Sequence, residues 1–416
     1  MRVFNDYLNR QHFKPRLTIS NYAPIIVVIP CYDEPHILDT LSSLWNNTSY
    51  DEYLLTIVVI NQSSNSPDTV KVQNKKTLHE LVNWKKKYET SLRTLEIIVV
   101  EFPKNTSGVG EARKLGMDEA INQYAHHQKD GIIVSLDADT LCENNYLSEI
   151  YRHFKTFTKT NTLIINYQHQ LENLSEEQQL AIIQYELYLR YMTLAYRYVG
   201  HPNAFHTIGS AFAVKATAYC KQNGMNRRQA GEDFYFIQKM LQLGRCSELN
   251  STCVYPSSRI SNRVPFGTGK AIQELISNNM ELQTHSFKAF EELKVFFNKH
   301  TSFYKITKEA YEDIIYNDLG GLIKSWLVAN DFFKELEQIN ANCASKAMFS
   351  KKFFESFSIF QIIKYLNFTH THFLQKVGIF HAIACLPSVG KRQYSNPEVL
   401  LHYLREELTK TTFIKG

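Results

Sequence analysis

The residues best suited to chemistry are two aspartates two positions apart, Asp137 and Asp139, in the run Ser135–Thr140. They follow the apolar segment Ile132–Leu136, which is typical of a buried strand. Where a backbone leaves a sheet, two carboxylates at this spacing can both face the crevice at the strand end. Their hard oxygens suit Mg²⁺ or Mn²⁺, which would hold a substrate diphosphate. The same pattern is equally compatible with Asp139 and Thr140 capping the next helix.

Other charged or glycine-rich segments also lie at predicted turns and helix starts. They are residues 29–35 with Glu34, 108–116 with Arg113, 209–212, and 231–234 with Glu232 and Asp233. The segment Arg259–Lys270 adds Arg263, two glycines and a terminal lysine. It is compatible with a flexible lid that clamps phosphate oxygens or with a solvated basic loop between domains. His201 and His206 are candidates for a third metal ligand or for hydrogen-bonded structure.

The segments that must position these residues alternate between the hydrophobic pattern of strands and that of helices. Short β-branched runs predict strands at 25–29, 54–60, 95–100, 132–136 and 163–166, and helical patterns predict helices at 35–45, 69–88, 110–124, 145–157 and 175–199. Strands that are apolar on both faces and alternate with helices indicate a mainly parallel, doubly wound α/β sheet. Ligands bind such sheets at the carboxyl ends of the strands.

Beyond about residue 270 the strand signals vanish, which predicts a helical C-terminal region. We therefore expect an N-terminal segment at 1–23, an α/β domain at 24–269 and a helical region at 270–416.

The composition of the chain argues against several classes of protein. The 416 residues carry 46 Lys and Arg against 41 Asp and Glu, and this slight excess does not indicate nucleic-acid binding. Seven cysteines without a Cys-x-x-Cys pair argue against a disulfide scaffold. The charged start predicts no signal peptide, and no apolar run approaches the ~20 residues of a membrane span. These features predict a cytoplasmic protein, at most peripheral to the inner membrane face.

In their order along the chain, these motifs resemble those of family 2 glycosyltransferases with the GT-A fold. The resemblance covers about residues 24–265 and includes the run at 29–35, the helix at 108–116, the Asp-x-Asp and the Glu-Asp pair. It implies transfer of a sugar from a nucleotide-sugar donor, UDP- or GDP-linked, to an acceptor hydroxyl with the help of Mn²⁺ or Mg²⁺.

The resemblance also implies roles for individual residues. Glu34 would lie near the nucleoside and Arg113 beside the base or diphosphate, while Asp137 would contact the ribose or the metal. Asp139 would bind the metal. Asp233, next to Glu232, would accept the acceptor's proton, which implies inversion.

Three departures from the family pattern stand out. Asn61–Asn65 replaces an acidic run after the second strand, and Lys114 stands where the helix motif has Asn. The Gln-x-x-Arg-Trp motif of processive synthases is missing, which favours transfer of one sugar per visit.

Two alternatives remain at this point. A haloacid-dehalogenase-type phosphatase would use Asp137-Ala138-Asp139-Thr140, with Asp137 as nucleophile and Glu232 and Asp233 holding Mg²⁺. Its motif belongs on the first strand, whereas here the motif follows a long α/β segment. The other alternative is a non-catalytic GT-A-like scaffold. The acceptor class is open among lipid-linked sugars, surface-polysaccharide precursors and small metabolites, and homodimerisation is a further expectation. A lipid-linked acceptor would bring the C-terminal helices to the membrane.

Overall fold

The computed structural model describes residues 2–103, 108–227, 231–260, 267–278, 280–390, 394 and 396–415. The chain forms two compact units. Unit 1 comprises Met1–Ile182, Thr207–Glu274 and Thr411–Gly416, and unit 2 comprises Ile183–His206 and Leu275–Lys410. The boundary expected between residues 269 and 270 stays a prediction.

The strands of both units are short to medium in length. They are β1 (Ile25–Cys31), β2 (Leu54–Ser63), β3 (Arg93–Phe102), β4 (Ile132–Ser135), β5 (Leu141–Cys142), β6 (Thr162–Tyr167), β7 (Phe212–Lys215), β8 (Cys246–Tyr255), β9 (Gln283–Thr284), β10 (Val377–Gly378) and β11 (Ile414–Lys415).

The α-helices outnumber the strands, and most of them lie in the C-terminal half. They are α1 (Arg2–Arg10), α2 (Ile37–Trp45), α3 (Asp68–Tyr88), α4 (Val109–His127), α5 (Tyr146–Thr156), α6 (Glu176–Tyr198), α7 (Ala216–Lys221), α8 (Glu232–Gln242), α9 (Thr268–Asn278), α10 (Phe287–Asn298), α11 (Lys308–Asn317), α12 (Gly321–Ala329), α13 (Phe332–Ala341), α14 (Lys346–Ser356), α15 (Ile359–His372), α16 (Ile379–Ala384) and α17 (Pro397–Thr409).

Unit 1 is built on one sheet with strand order β11-β8-β6-β7-β4-β1-β2-β3, and β5 pairs with β8. The pairs β1–β2, β1–β4, β2–β3 and β6–β8 are parallel, while β7 runs antiparallel between β4 and β6. The five predicted strands all occur, and the mainly parallel α/β architecture is confirmed.

The centre of this sheet is buried on both faces. Every residue of β1 and of β4 is buried, as expected for β-branched strands covered by helices. Helix α4 approaches the sheet closely at Gly116, where an added Cβ would lie 2.4 Å from Cγ1 of Val28. Because β1 and β4 are parallel neighbours, their carboxyl ends lie at the same edge of the sheet. Glu34 comes shortly after the end of β1, and Asp137 comes shortly after the end of β4.

Unit 2 is mainly helical and has an aromatic core. Phe296 packs against a group of other phenylalanine rings at centroid distances of 5.3–5.6 Å, namely Phe303, Phe332, Phe353 and Phe357. The only sheet among its described residues is the two-residue pair β9–β10. The prediction of a helical C-terminal region is confirmed. Within the described ranges, no helix combines the length and apolar character needed to cross a membrane.

Candidate active site

The two aspartates of the Asp-x-Asp run lie in a tight turn after β4. The backbone N–H of Thr140 donates to the carbonyl of Asp137 at 3.1 Å, and Thr40 of α2 donates its hydroxyl to the carbonyl of Ala138 at 3.0 Å. The turn leads into β5, and the next helix, α5, begins only at Tyr146. The alternative in which Asp139 caps a helix is therefore wrong, and both carboxylates remain about one-third exposed.

Arg113 lies on the first turns of α4 with its guanidinium inside the protein and 2% of the side chain exposed. One terminal nitrogen donates to Oδ1 of Asp137 at 2.9 Å, and Nε donates to Oε1 of Glu232 at 3.3 Å. The other terminal nitrogen donates to the hydroxyl of Ser135 and, at 3.0 Å, to the carbonyl of Gly209. The structure thus joins α4, the end of β4 and the start of α8 through one cation.

Glu232 and Asp233 form the first turn of α8, where the helix dipole favours negative charge. Glu232 is buried, and Asp233 is half-buried with Oδ1 accepting from the N–H of Phe234 at 2.7 Å. Burial raises the pKa of Glu232 to about 7 although Arg113 acts in the opposite direction. Burial also raises the pKa of Asp233, again against the effect of Arg113. Strongly perturbed carboxyl groups of this kind are typical of functional sites.

Glu34 follows β1 and is buried, and it pairs with Arg259 from the segment after β8. The Arg259 guanidinium binds both carboxylate oxygens of Glu34 and also donates to Oδ2 of Asp139 at 3.2 Å. The N–H of His36 donates to Oε1 of Glu34 at 2.8 Å, which fixes the carboxylate. The structure therefore brings Glu34, Arg259 and Asp139 together.

The expected basic lid includes two further basic residues, Arg263 and Lys270. Arg263 falls outside the described residues. Lys270 belongs to α9, where its Nζ lies 3.5 Å from Oε1 of Glu274, as in an ordinary pair along a helix surface.

A divalent cation would find oxygen donors here but no complete protein shell. Among the described residues, no three His, Cys, Asp or Glu side chains are arranged to hold a metal ion. Mg²⁺ characteristically takes one or two protein carboxylates together with substrate phosphates. The exposed oxygens of Asp139 and Asp137 fit that mode, because each carboxylate keeps solvent access beside its arginine partner.

His201, a candidate third ligand, has both ring nitrogens in hydrogen bonds within unit 2. Its Nδ1 accepts from the N–H of Asn203 at 3.1 Å, and its Nε2 lies 3.0 Å from the carbonyl of Phe357. This geometry supports the structural alternative. His206 also belongs to unit 2 and is half-buried.

Two parts of the arrangement were not anticipated from sequence. Ser135 and Gly209, whose oxygens accept hydrogen bonds from Arg113, belong to the sequence motifs but are not predicted there as site residues. Asn74 of α3 accepts from the N–H of Asp33 at 3.0 Å and donates to the carbonyl of Asn61 at 3.0 Å, joining the ends of β1 and β2. A buried amide on an otherwise amphipathic helix is the signal that marks Asn74.

Lys114, the departure in the helix motif, has a structural explanation. Its Nζ lies 2.8 Å from Oδ2 of Asp118 and donates to the hydroxyl of Tyr7 at 2.9 Å. The hydroxyls of Tyr7 and Tyr219 both donate to Oδ1 of Asp118, at 2.6 and 2.8 Å. The lysine therefore ties α1 to α4 in a buried network.

Comparison with known families decides the class of this domain. The family model described as "Glycosyl transferase family 2" matches residues 26–220. This segment is a family 2 glycosyltransferase domain. The predicted family, the GT-A fold class and the enzyme class are thereby confirmed. The match includes Arg113, Asp137 and Asp139, while Glu232, Asp233 and Arg259 lie beyond it.

Searches among solved structures match this chain to two proteins at low identity. S. aureus TarS 1–349 matches with 14% identity and a TM-score of 0.38, over 80% of this chain and 90% of that one. Its complex with UDP-GlcNAc matches with a TM-score of 0.40 at the same identity and coverage. M. tuberculosis glucosyl-3-phosphoglycerate synthase with Mn²⁺, UDP and phosphoglyceric acid matches with 14% identity and a TM-score of 0.35, over 63% and 83%. No curated protein matches the chain.

Proposed function

We propose that the family 2 domain transfers one sugar from a UDP- or GDP-linked donor to an acceptor hydroxyl, with inversion at the anomeric carbon. The observation that supports this best is Asp233. It is a half-buried carboxylate at the start of α8 with a raised pKa, beside the acids that follow β4. Such a group is suited to accept the hydroxyl proton as the acceptor oxygen attacks.

The donor would lie over the carboxyl ends of β1 and β4. Arg259 would turn its guanidinium from Glu34 and Asp139 towards the diphosphate oxygens, because planar N–H pairs recognise phosphate in a bidentate manner. Asp139, with Asp137, would hold Mn²⁺ or Mg²⁺ against the diphosphate. When bound, the cation supplies Lewis-acid stabilisation of the charge on the departing nucleoside diphosphate.

Calorimetric titration of UDP and GDP, with and without Mn²⁺, tests the donor site. We expect one nucleotide to bind in a Mn²⁺-dependent manner and Asp139→Ala to weaken that binding by more than about tenfold. Asp68→Asn is the matched control, because Asp68 is an exposed aspartate on α3 of the same unit. If neither nucleotide binds wild type, or if Asp139→Ala binds as wild type does, the proposed donor site is wrong.

The role of Asp233 is tested separately by the slow hydrolysis of a nucleotide sugar, followed as release of the nucleoside diphosphate. Asp233→Asn is expected to lower the rate by about 10²–10⁴-fold, the usual contribution of a general base. The nucleotide affinity of the variant should stay within about threefold of wild type. A loss of affinity without a loss of turnover would contradict the assignment.

The phosphatase alternative conflicts with the described contacts as well as with the family match. It requires Mg²⁺ between Asp137 and the Glu232–Asp233 pair, but Arg113 bonds to both Asp137 and Glu232 there. A non-catalytic scaffold is the outcome that failure of both assays would favour. The acceptor, dimerisation and membrane contact of the C-terminal region stay predictions.

A further inference from the structure

Helix α15 and the segment after it carry aromatic and basic side chains along their solvent-facing side. The opposite side of the helix is anchored in unit 2: Ile362, Tyr365 and Leu366 are buried, and the hydroxyl of Tyr365 donates to the carbonyl of Ala289 at 3.0 Å. The solvent-facing side, here named the aromatic–basic face, consists of Phe360, Lys364, Phe368, His372, Phe373 and Lys376. Because residues four positions apart lie along one side of a helix, the first four of these form one ridge.

The phenylalanine rings of this face remain in contact with solvent. Phe360 is 40% exposed and Phe373 is 53% exposed. Phe368 is half-buried, and its ring centroid lies 5.3 Å from that of Trp326 in the core and 5.9 Å from that of Phe373. The apolar surface therefore continues from the core of unit 2 to an exposed ring. Phenylalanine has no polar group that water could bind, so a cluster of such rings at the surface indicates a contact with an apolar partner.

The charge of this part of the chain has one sign. The sequence from Ser356 to Pro397 contains no Asp or Glu, although the whole chain has 41 such residues among 416, about one in ten. In the described part of the chain, neither Lys364 nor Lys376 forms an ion pair with a carboxylate. Nζ of Lys364 lies 4.8 Å from the ring centroid of Phe360, so cation and ring are exposed side by side. The positive charge of the face is therefore available to an anionic partner.

We propose that the aromatic–basic face binds the surface of an anionic lipid bilayer. Phenylalanine rings enter the boundary between headgroups and acyl chains, while lysines beside them stay among the headgroups and attract anionic lipids. A second copy of the chain fits this face less well, because a twofold contact would bring the lysines of both copies together. An acidic polymer would pair with the lysines without using the exposed rings. The inference goes beyond the proposed function and does not depend on it.

Sedimentation of the full chain with lipid vesicles tests this proposal. We expect binding to vesicles of phosphatidylcholine mixed with phosphatidylglycerol and much weaker binding to phosphatidylcholine alone. Raising the salt from about 0.05 M to about 0.5 M should release most of the bound protein, because salt screens the lysines from the anionic headgroups. Binding of equal strength to both kinds of vesicle, or binding to neither, would overturn the proposal.

The contribution of the lysines has a matched control in the same unit. Lys364→Gln/Lys376→Gln should lower the affinity for anionic vesicles by more than about tenfold, since each lysine near such a surface contributes roughly fivefold. Lys351→Gln/Lys352→Gln removes the same charge from α14, where both lysines lie within 4.0 Å of Glu355. This control should lower the affinity by less than about twofold. Equal losses in the two double variants would show attraction by net charge alone and would reject the assignment to this face.

The contribution of the rings is tested at Phe373. Phe373→Ser should lower the vesicle affinity by at least about fivefold, because it removes apolar surface that leaves water on binding. Phe157→Ser is the control, because Phe157 is 56% exposed but belongs to unit 1, and its affinity should stay within about twofold of wild type. Phe373→Trp should keep the affinity, and its emission should shift to the blue on addition of vesicles by more than that of wild type.

The outcomes distinguish the partner and separate this inference from the proposed function. A Phe373→Trp variant that binds vesicles without a blue shift would place this residue in water and overturn the proposal. Retention of the chain on heparin without binding to vesicles would identify an acidic polymer as the partner and reject the bilayer. None of these measurements uses a nucleotide, so failure of UDP or GDP to bind would leave the vesicle result standing.

Discussion

Replacing Lys114 by asparagine, the residue typical of the helix motif, should destabilise unit 1 strongly. Lys114 and Asp118 are each about 95% buried, and their charged groups lie 2.8 Å apart. The substitution leaves the Asp118 carboxylate buried without its cation. Breaking a buried pair from one side costs about 3–5 kcal/mol. Because the hydroxyls of Tyr7 and Tyr219 still donate to Asp118, we expect the lower end, about 3 kcal/mol.

Urea unfolding followed by tryptophan fluorescence measures this change selectively. Trp45 and Trp84 lie in unit 1 with ring centroids 4.4 Å apart, and Trp326 lies in unit 2. In a Trp326→Phe background, the emission therefore reports unit 1. Lys114→Asn should lower the transition midpoint without changing the slope m, because the surface exposed on unfolding stays the same.

Two further variants make the explanation refutable. Lys114→Met/Asp118→Asn removes both charges and should lie within about 1 kcal/mol of wild type. Lys71→Asn, which removes a partly exposed lysine 3.9 Å from Asp68, should cost less than about 0.5 kcal/mol. The reasoning fails if Lys114→Asn costs less than about 1 kcal/mol, or if the double variant is as unstable as the single one.

Three other substitutions give independent checks. Gly209→Ala should cost about 1–3 kcal/mol and slow donor hydrolysis, because its Cβ presses on Arg113 and Asp233; wild-type turnover would contradict this. Burial raises the pKa of Glu119 to about 7, so its stabilisation is complete below its unfolded pKa and is lost as the pH rises to about 7. Glu119→Gln should therefore flatten the stability profile between those values, as measured by urea unfolding at each pH. His201→Ala should lower the melting temperature without changing the Mn²⁺ dependence of nucleotide binding, and a changed dependence would restore His201 as a candidate ligand.

Strands whose burial shows in their residue types could be predicted from sequence. β1 and β4 are continuous apolar runs, and both are central and buried on each side. β8 lacks that signal because polar residues such as Ser247, Glu248 and Thr252 are buried within it. β7 is only four residues long and runs antiparallel to its neighbours, so the alternation of strands and helices along the sequence does not predict it.

The site also contains features that could be predicted from sequence and contacts that could not. The spacing of Asp137 and Asp139 at a strand end predicted these two as site residues, and the resemblance to family 2 glycosyltransferases implied Glu232 and Asp233. The roles of all four stay predictions. The hydrogen bond from the Ser135 hydroxyl to the carbonyl of Gly209 could not be predicted from sequence, because it joins segments that lie 74 residues apart. The interaction of Lys114 with Tyr7 spans 107 residues and was hidden for the same reason.

The last described strand, β11, has a consequence for biosynthesis. Ile414 and Lys415 pair with Ser247 and Cys246 of β8, and the N–H of Phe413 donates to Oε2 of Glu248 at 3.0 Å. Residues 256–413 are translated between these partners. The end of β8 at Cys246 and Ser247 therefore lacks its pairing with β11 until that whole segment has been made, whereas Val254 and Tyr255 can already pair with β5. A growing chain therefore exposes an open sheet edge during this interval, and such edges invite association between chains. Slow translation through this segment would prolong the exposure.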